Sequence, residues 1–231
     1  MRFAVKIALA LIAAVLLVPV GVADASEQRP VLLLIHGGGF FEGSPEAMDY
    51  TAGIAAAQGG FETLQPAYPL NDLPAAFRQL RDVALDLRAQ GRSVYAYGDS
   101  AGGAIAAWLA SNGYVRAAGA KSPPTALRAW HTRYAQRYVR ARPGDPHSWR
   151  YLHATADTMR AYSSANRPSR RPIRIFHGCA DTVVPCAMNI GFARRDPRVS
   201  LVRVPGQHGD PAARARSFTA GLRWLSGLAG V

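Results

Sequence analysis

Short apolar runs alternate along this chain with longer stretches in which apolar positions recur at helical spacing. Val31–Ile35 is uninterrupted by any polar residue, and Phe61–Ala67, Ser93–Tyr97, Val115–Ala120, Ile173–Phe176 and Val199–Val204 read as further strands. Runs of this kind, rather than strict alternation, mark strands covered on both faces. Between them, Glu46–Gln58 has a helical pattern that stops at Gly59-Gly60. The stretch from Leu73 to Gln90 places Leu73, Phe77, Leu80, Ala84 and Leu87 on one face and Arg78, Arg81, Asp82 and Arg88 on the other, and Gly91 ends it. Ala104–Leu109 is helix-forming, and Ala212–Leu228 is a closing helix. This order predicts an α/β three-layer sandwich with a compact, mostly parallel sheet of about six strands.

Residues 122–171 separate two of these strands by far more than an ordinary connection. They carry Trp130, Tyr134, Tyr138, Trp149, Tyr151 and Tyr162. The segment reads either as a small helical insertion, a partial lid, or as a crossover helix followed by a decorated loop.

The N-terminus has a different pattern. Arg2 and Lys6 precede the apolar run Ile7–Val18, and Ala23-Asp24-Ala25 supplies the small residues read by a signal peptidase. Pro19 and Gly21 shorten the run below the roughly 20 residues of a spanning helix. Residues 1–25 are therefore expected to be a signal peptide cleaved before Ser26. The remaining residues, 26–231, are one domain, secreted or periplasmic, with no membrane span of its own.

At 49% hydrophobic and 18% charged residues the 231-residue chain is globular rather than disordered. Its formal charge of +12 is carried almost wholly by arginine, because Lys6 and Lys121 are the only lysines. Arginines cluster between Arg128 and Arg174, opposed there only by Asp145 and Asp157. Such a surface attracts anionic polymers, but it reads first as a solvated face. No nucleic-acid motif accompanies it, so no nucleic-acid partner is expected. Cys179 and Cys186 are the only cysteines. Export to an oxidising compartment makes them a disulfide; two sulfurs without a spaced histidine pair make a poor zinc site, so no metal is expected.

The chemistry centres on Gly98-Asp99-Ser100-Ala101-Gly102-Gly103, which lies between an apolar strand and a helix-forming stretch. A G-x-S-x-G in that setting is a nucleophile elbow. The serine sits on a strained turn and the flanking glycines avoid Cβ clashes. The following helix directs N–H groups and its positive dipole end toward the reacting oxygen.

Three further motifs follow in an order that gives the chain its resemblance. His36-Gly37-Gly38-Gly39 follows the first strand, His177-Gly178-Cys179-Ala180-Asp181-Thr182-Val183-Val184-Pro185 follows a later one, and Pro205-Gly206-Gln207-His208-Gly209 follows the last. With these, most of the expected mature chain resembles the α/β-hydrolase family, in particular the esterases related to hormone-sensitive lipase. The resemblance implies that Gly38, Gly39 and Ala101 donate N–H groups to an oxyanion, that Asp181 is the catalytic acid and that His208 is the base, in the order Ser-Asp-His. Asp145 and Asp157 are expected at the surface. His36, His131, His147, His153 and His177 are expected to be structural or surface histidines. The implied reaction is hydrolysis of carboxylic esters, small or polymeric, through an acyl-enzyme, with no metal or organic cofactor. A same-fold serine peptidase or acyltransferase uses the same residues. A non-catalytic binding protein is disfavoured by the intact set. The chain departs from the family in lacking an extended N-terminal cap, the segment that usually builds the acyl pocket.

Overall fold

Within residues 29–131 and 154–231, which the computed structural model describes, six parallel strands form one sheet in the order β2-β1-β3-β4-β5-β6. They are β1 Val31–Ile35, β2 Glu62–Leu64, β3 Val94–Asp99, β4 Ala118–Lys121, β5 Ile173–His177 and β6 Val199–Arg203. The expected signal peptide, and the part of the long connection that holds Tyr134, Tyr138, Asp145, His147, Trp149, Tyr151 and His153, lie outside the described residues. Among those described, no helix is long and apolar enough to cross a membrane.

Two packed layers cover the sheet because successive strand residues point to opposite faces. Val31, Leu33 and Ile35 of β1 pack with Phe77 and Leu80 of α2 (Leu73–Ala89) and Ile105 and Leu109 of α3 (Ala101–Ser111). Leu32 and Leu34 face the other way, toward Ala55 of α1 (Asp49–Gln58) and, near the chain end, Phe218, Leu222 and Leu225. Every residue of β1 is therefore buried, as its uninterrupted apolar run predicts.

The short helix α4 (Leu127–Trp130) follows β4, and α5 (Ala156–Ala161) precedes β5. Two more helices, α6 (Cys186–Arg195) and α7 (Pro211–Ala229), follow β5 and β6. Asp72 and Asp210 cap α2 and α7 by accepting the N–H of Ala75 and Ala213. Strand β2 is shorter than the expected Phe61–Ala67. It is an edge strand paired only with Val31–Leu33, and Pro66 has no N–H to extend the ladder.

The strand order fixes where chemistry can occur. From β1 the chain moves outward to β2, then returns to β3 on the other side of β1. That reversal opens a crevice beyond the carboxyl ends of β1 and β3, the usual ligand site of an open parallel sheet. The glycine loop after Ile35 and the turn at Ser100 both emerge there, and Ile35 pairs with Gly98 across the two strands.

Candidate active site

Ser100 sits between the last residue of β3 and the first of α3, with φ 53° and ψ −114°. A non-glycine residue in this region is strained, so the surrounding packing must hold it there. The two flanking glycines explain how. A Cβ on Gly98 would overlap the carbonyl of Gly102, and one on Gly102 would overlap the carbonyls of Ile35 and His36. Strand, turn and helix are thus in direct backbone contact, and the Ser100 N–H is tied to the Lys121 carbonyl at 2.8 Å.

The Ser100 hydroxyl donates to Nε2 of His208 at 2.8 Å. His208 lies on the loop between β6 and α7, and its Nδ1 is 2.7 Å from Oδ2 of Asp181. A carboxylate only accepts, so Nδ1 carries the proton and Nε2 is left to accept from serine. Asp181 is supplied by the loop after β5. Its Oδ1 accepts the N–H groups of Val183 and Val184 at 2.9 and 2.8 Å, and its side chain is wholly buried. Burial alone would raise this carboxyl. The hydrogen bonds from His177, His208 and Val184 outweigh it and hold the group far below the usual carboxylate range. The loops that carry Asp181 and His208 touch, since a Cβ on Gly178 would overlap the Gly206 carbonyl.

The glycine loop lies against the elbow. A Cβ on Gly37 would be 3.4 Å from Cβ of Ser100. Gly38 and Gly39 adopt positive φ of 111° and 62°, and the Gly38 carbonyl turns back to accept from Phe41 and Glu42. Among the described residues, no group accepts a hydrogen bond from the N–H of Gly38, Gly39 or Ala101. Tyr68 anchors the loop from behind. Its hydroxyl donates to the carbonyls of His36 and Gly37 at 3.0 and 3.3 Å, and its ring stacks on that of His36. Burial pushes the Tyr68 hydroxyl up and His36 down.

Cys179 and Cys186 are joined, closing a ring around Asp181, Val183 and Val184. Two contacts went unread in the sequence. His177 touches Asp181 directly, with Nε2 3.1 Å from Oδ2. Lys121, only 1% exposed, donates from Nζ to the His208 carbonyl at 2.7 Å and pairs with Asp99 at 3.5 Å, while Arg214 pairs with the other Asp99 oxygen. Asp157 is exposed beside Arg160, and buried His131 lies at the end of α4. Among the described residues, no group of three or more His, Cys, Asp or Glu is placed to hold a metal ion.

The alpha/beta hydrolase fold family model matches residues 32–197 of the chain. A comparison with curated proteins gives no match. Among solved structures, esterase 2 of Thermogutta terrifontis phosphoramylated by tabun superposes with a TM-score of 0.68 at 19% identity, covering 89% of this chain and 86% of that one. Its butyrate-bound form gives 0.66 at 20% identity, with 89% and 86% covered. A truncated carbohydrate esterase from gut microbiota gives 0.68 at 17% identity, with 89% and 88% covered.

Proposed function

The chain belongs to the alpha/beta hydrolase fold family, and we propose that it is a serine hydrolase of carboxylic esters with Ser100 as nucleophile, His208 as general base and Asp181 as the orienting acid. The observation that carries this reading is the unbroken hydrogen-bonded chain from Ser100 through His208 to Asp181, at 2.8 and 2.7 Å. It is set on a strained elbow at the sheet's topological switch.

His208 Nε2 takes the hydroxyl proton as Ser100 Oγ forms a bond to the acyl carbon. Negative charge collects on the former carbonyl oxygen, facing the N–H groups of Gly38, Gly39 and Ala101. One such donor is typically worth about 3–4 kcal/mol of barrier. The tetrahedral adduct collapses with loss of the alcohol, which leaves with the proton from His208. Water then attacks the acyl-serine by the same route, releasing the carboxylic acid and restoring Ser100. Asp181 stays ionised throughout and stabilises the imidazolium.

Short acyl esters are the proposed substrates, supported by the butyrate bound to the similar Thermogutta terrifontis esterase. Export is part of the proposal. The basic, apolar and small-residue segments of residues 1–25 support it, as does a disulfide that suits an oxidising compartment. The test is labelling of the purified protein by a fluorophosphonate, followed by mass mapping. The adduct is expected on Ser100, blocked in Ser100→Ala; labelling elsewhere, or none on folded protein, contradicts the assignment.

A further inference from the structure

His177 is completely buried, yet none of its ring nitrogens is idle. Nε2 lies 3.1 Å from Asp181 Oδ2 and 2.9 Å from the Val184 carbonyl oxygen. Both neighbours accept only, so Nε2 carries a proton shared between them. Nδ1 is 2.7 Å from the Asn189 side-chain nitrogen. That nitrogen also lies 2.9 Å from the Pro123 carbonyl, which fixes the amide with its nitrogen facing Pro123 and His177. The Thr125 hydroxyl, 2.6 Å from Asn189 Oδ1, fixes the same orientation from the other end. Asn189 therefore donates to Nδ1, and one neutral tautomer of His177 satisfies every contact.

Three buried polar side chains from separate parts of the chain converge here: Thr125 after β4, His177 at the end of β5, Asn189 in α6. Burying such groups is costly unless each is satisfied, and a satisfied network in low dielectric is rigid. Among the described residues, it meets the triad at Asp181 Oδ2, the oxygen that also accepts from His208. Oδ1 is already held by two backbone N–H groups. The second oxygen is thus the one whose position the network sets.

We propose that Thr125, Asn189 and His177 form a buried relay that holds Asp181 Oδ2 in register with His208, making His177 a positioning residue for the reaction. The proposal rests on the ester-hydrolase reading above. His177 does not touch substrate; it acts through the carboxylate. Displacing a reacting group by about 1 Å can cost on the order of 100-fold in rate without any change in substrate contacts. The signature is a loss in kcat with KM preserved.

The experiment uses His177→Leu, His177→Gln and Thr125→Val in the full chain. Turnover of 4-nitrophenyl butyrate, the second-order rate of fluorophosphonate labelling and the melting temperature are measured for each. In His177→Leu, kcat and labelling rate are expected to fall about 10–100-fold, with KM within about twofold. Gln places an amide N–H where Nε2–H stood and restores most of the loss. Thr125→Val, which removes only the distal hydroxyl, lowers kcat a few-fold and settles the question if His177→Leu does not fold. Wild-type kcat in folded Thr125→Val and His177→Leu, or equal losses in the Leu and Gln variants that follow only the folded fraction, overturns the relay. A folded wild type that neither labels nor turns over ester overturns the ester-hydrolase reading, and the relay with it.

Discussion

Lys121 reaches from the end of β4 to the loop after β6 and donates from a buried ammonium to the main-chain carbonyl of His208, 2.7 Å away. The same ammonium pairs with Asp99, the residue before Ser100. One side chain thus ties the loop of the proposed base to the elbow of the proposed nucleophile. Removing one partner of a buried ion pair costs about 3–5 kcal/mol. Lys121→Met is expected near the lower end, because Arg214 still faces Asp99. Urea unfolding measures the loss, and kcat for ester hydrolysis should fall with it; unchanged stability would show the pair contributes nothing net.

Gly102 has no room for even a methyl group, since a Cβ there meets the carbonyls of Ile35 and His36. Gly102→Ala must push α3 away from β1, and overpacking of this kind costs about 1–3 kcal/mol or more. The shift falls on Ser100 and on the glycine loop together. The variant is expected to lose stability in thermal denaturation and most of its esterase activity. Gly227→Ala, where a Cβ meets nothing within 4 Å, serves as the control that keeps both.

The Asp181 carboxyl is held far below its ordinary value by donors that exist only in the fold. A group depressed in the folded state contributes stability above its unfolded pKa, about 3.9, and loses it as pH falls toward the folded value. Wild-type protein is therefore expected to exceed Asp181→Asn in unfolding free energy at about pH 5, above the range in which the unfolded carboxyl takes up its proton. Below about pH 4 the margin shrinks as wild-type Asp181 takes up its proton on unfolding. Denaturant titrations across that range measure it, and a margin independent of pH down to pH 2 would contradict the assignment.

The Cys179–Cys186 bridge closes the loop that presents Val183 and Val184 N–H to Asp181. A ring this short restricts the unfolded chain by at most about 2–3 kcal/mol. Its larger consequence is local. The Cys179→Ala, Cys186→Ala double variant is expected to melt a few degrees lower and to lose kcat several-fold. Wild type treated with reductant should match it, while a double variant as active and as stable as wild type would make the bridge incidental.

The sheet was legible in the sequence where a strand is buried on both faces and carries no polar residue, as in β1, and it remained legible in β5, where Arg174 alone interrupts Ile173, Ile175 and Phe176. Helix α6 was missed because its inward face includes Asn189, turned to the core for His177 rather than for packing. The four motifs could be read because backbone crowding around Gly98, Gly102 and Gly178 and the hydrogen bonds among Ser100, His208 and Asp181 restrict residue types at fixed spacing. The Lys121 contact could not, since its partner His208 lies across two strand connections that no local pattern reports, and the His177 contact depends on how the loop after β5 folds back onto its own strand end. A faint signal existed for each. Lys121 is the one lysine outside residues 1–25 and stands at the end of an apolar strand, a compact charge suited to one buried carbonyl. His177 stands four residues before Asp181.

Hydrolysis of a 4-nitrophenyl ester series, from acetate to palmitate, by wild type and Ser100→Ala decides whether Ser100 carries ester turnover. Wild type is expected to turn over the short esters, with rates falling from butyrate to palmitate, and Ser100→Ala to be inactive yet folded. Turnover surviving in Ser100→Ala, or folded wild type silent across the whole series, would contradict the proposed function.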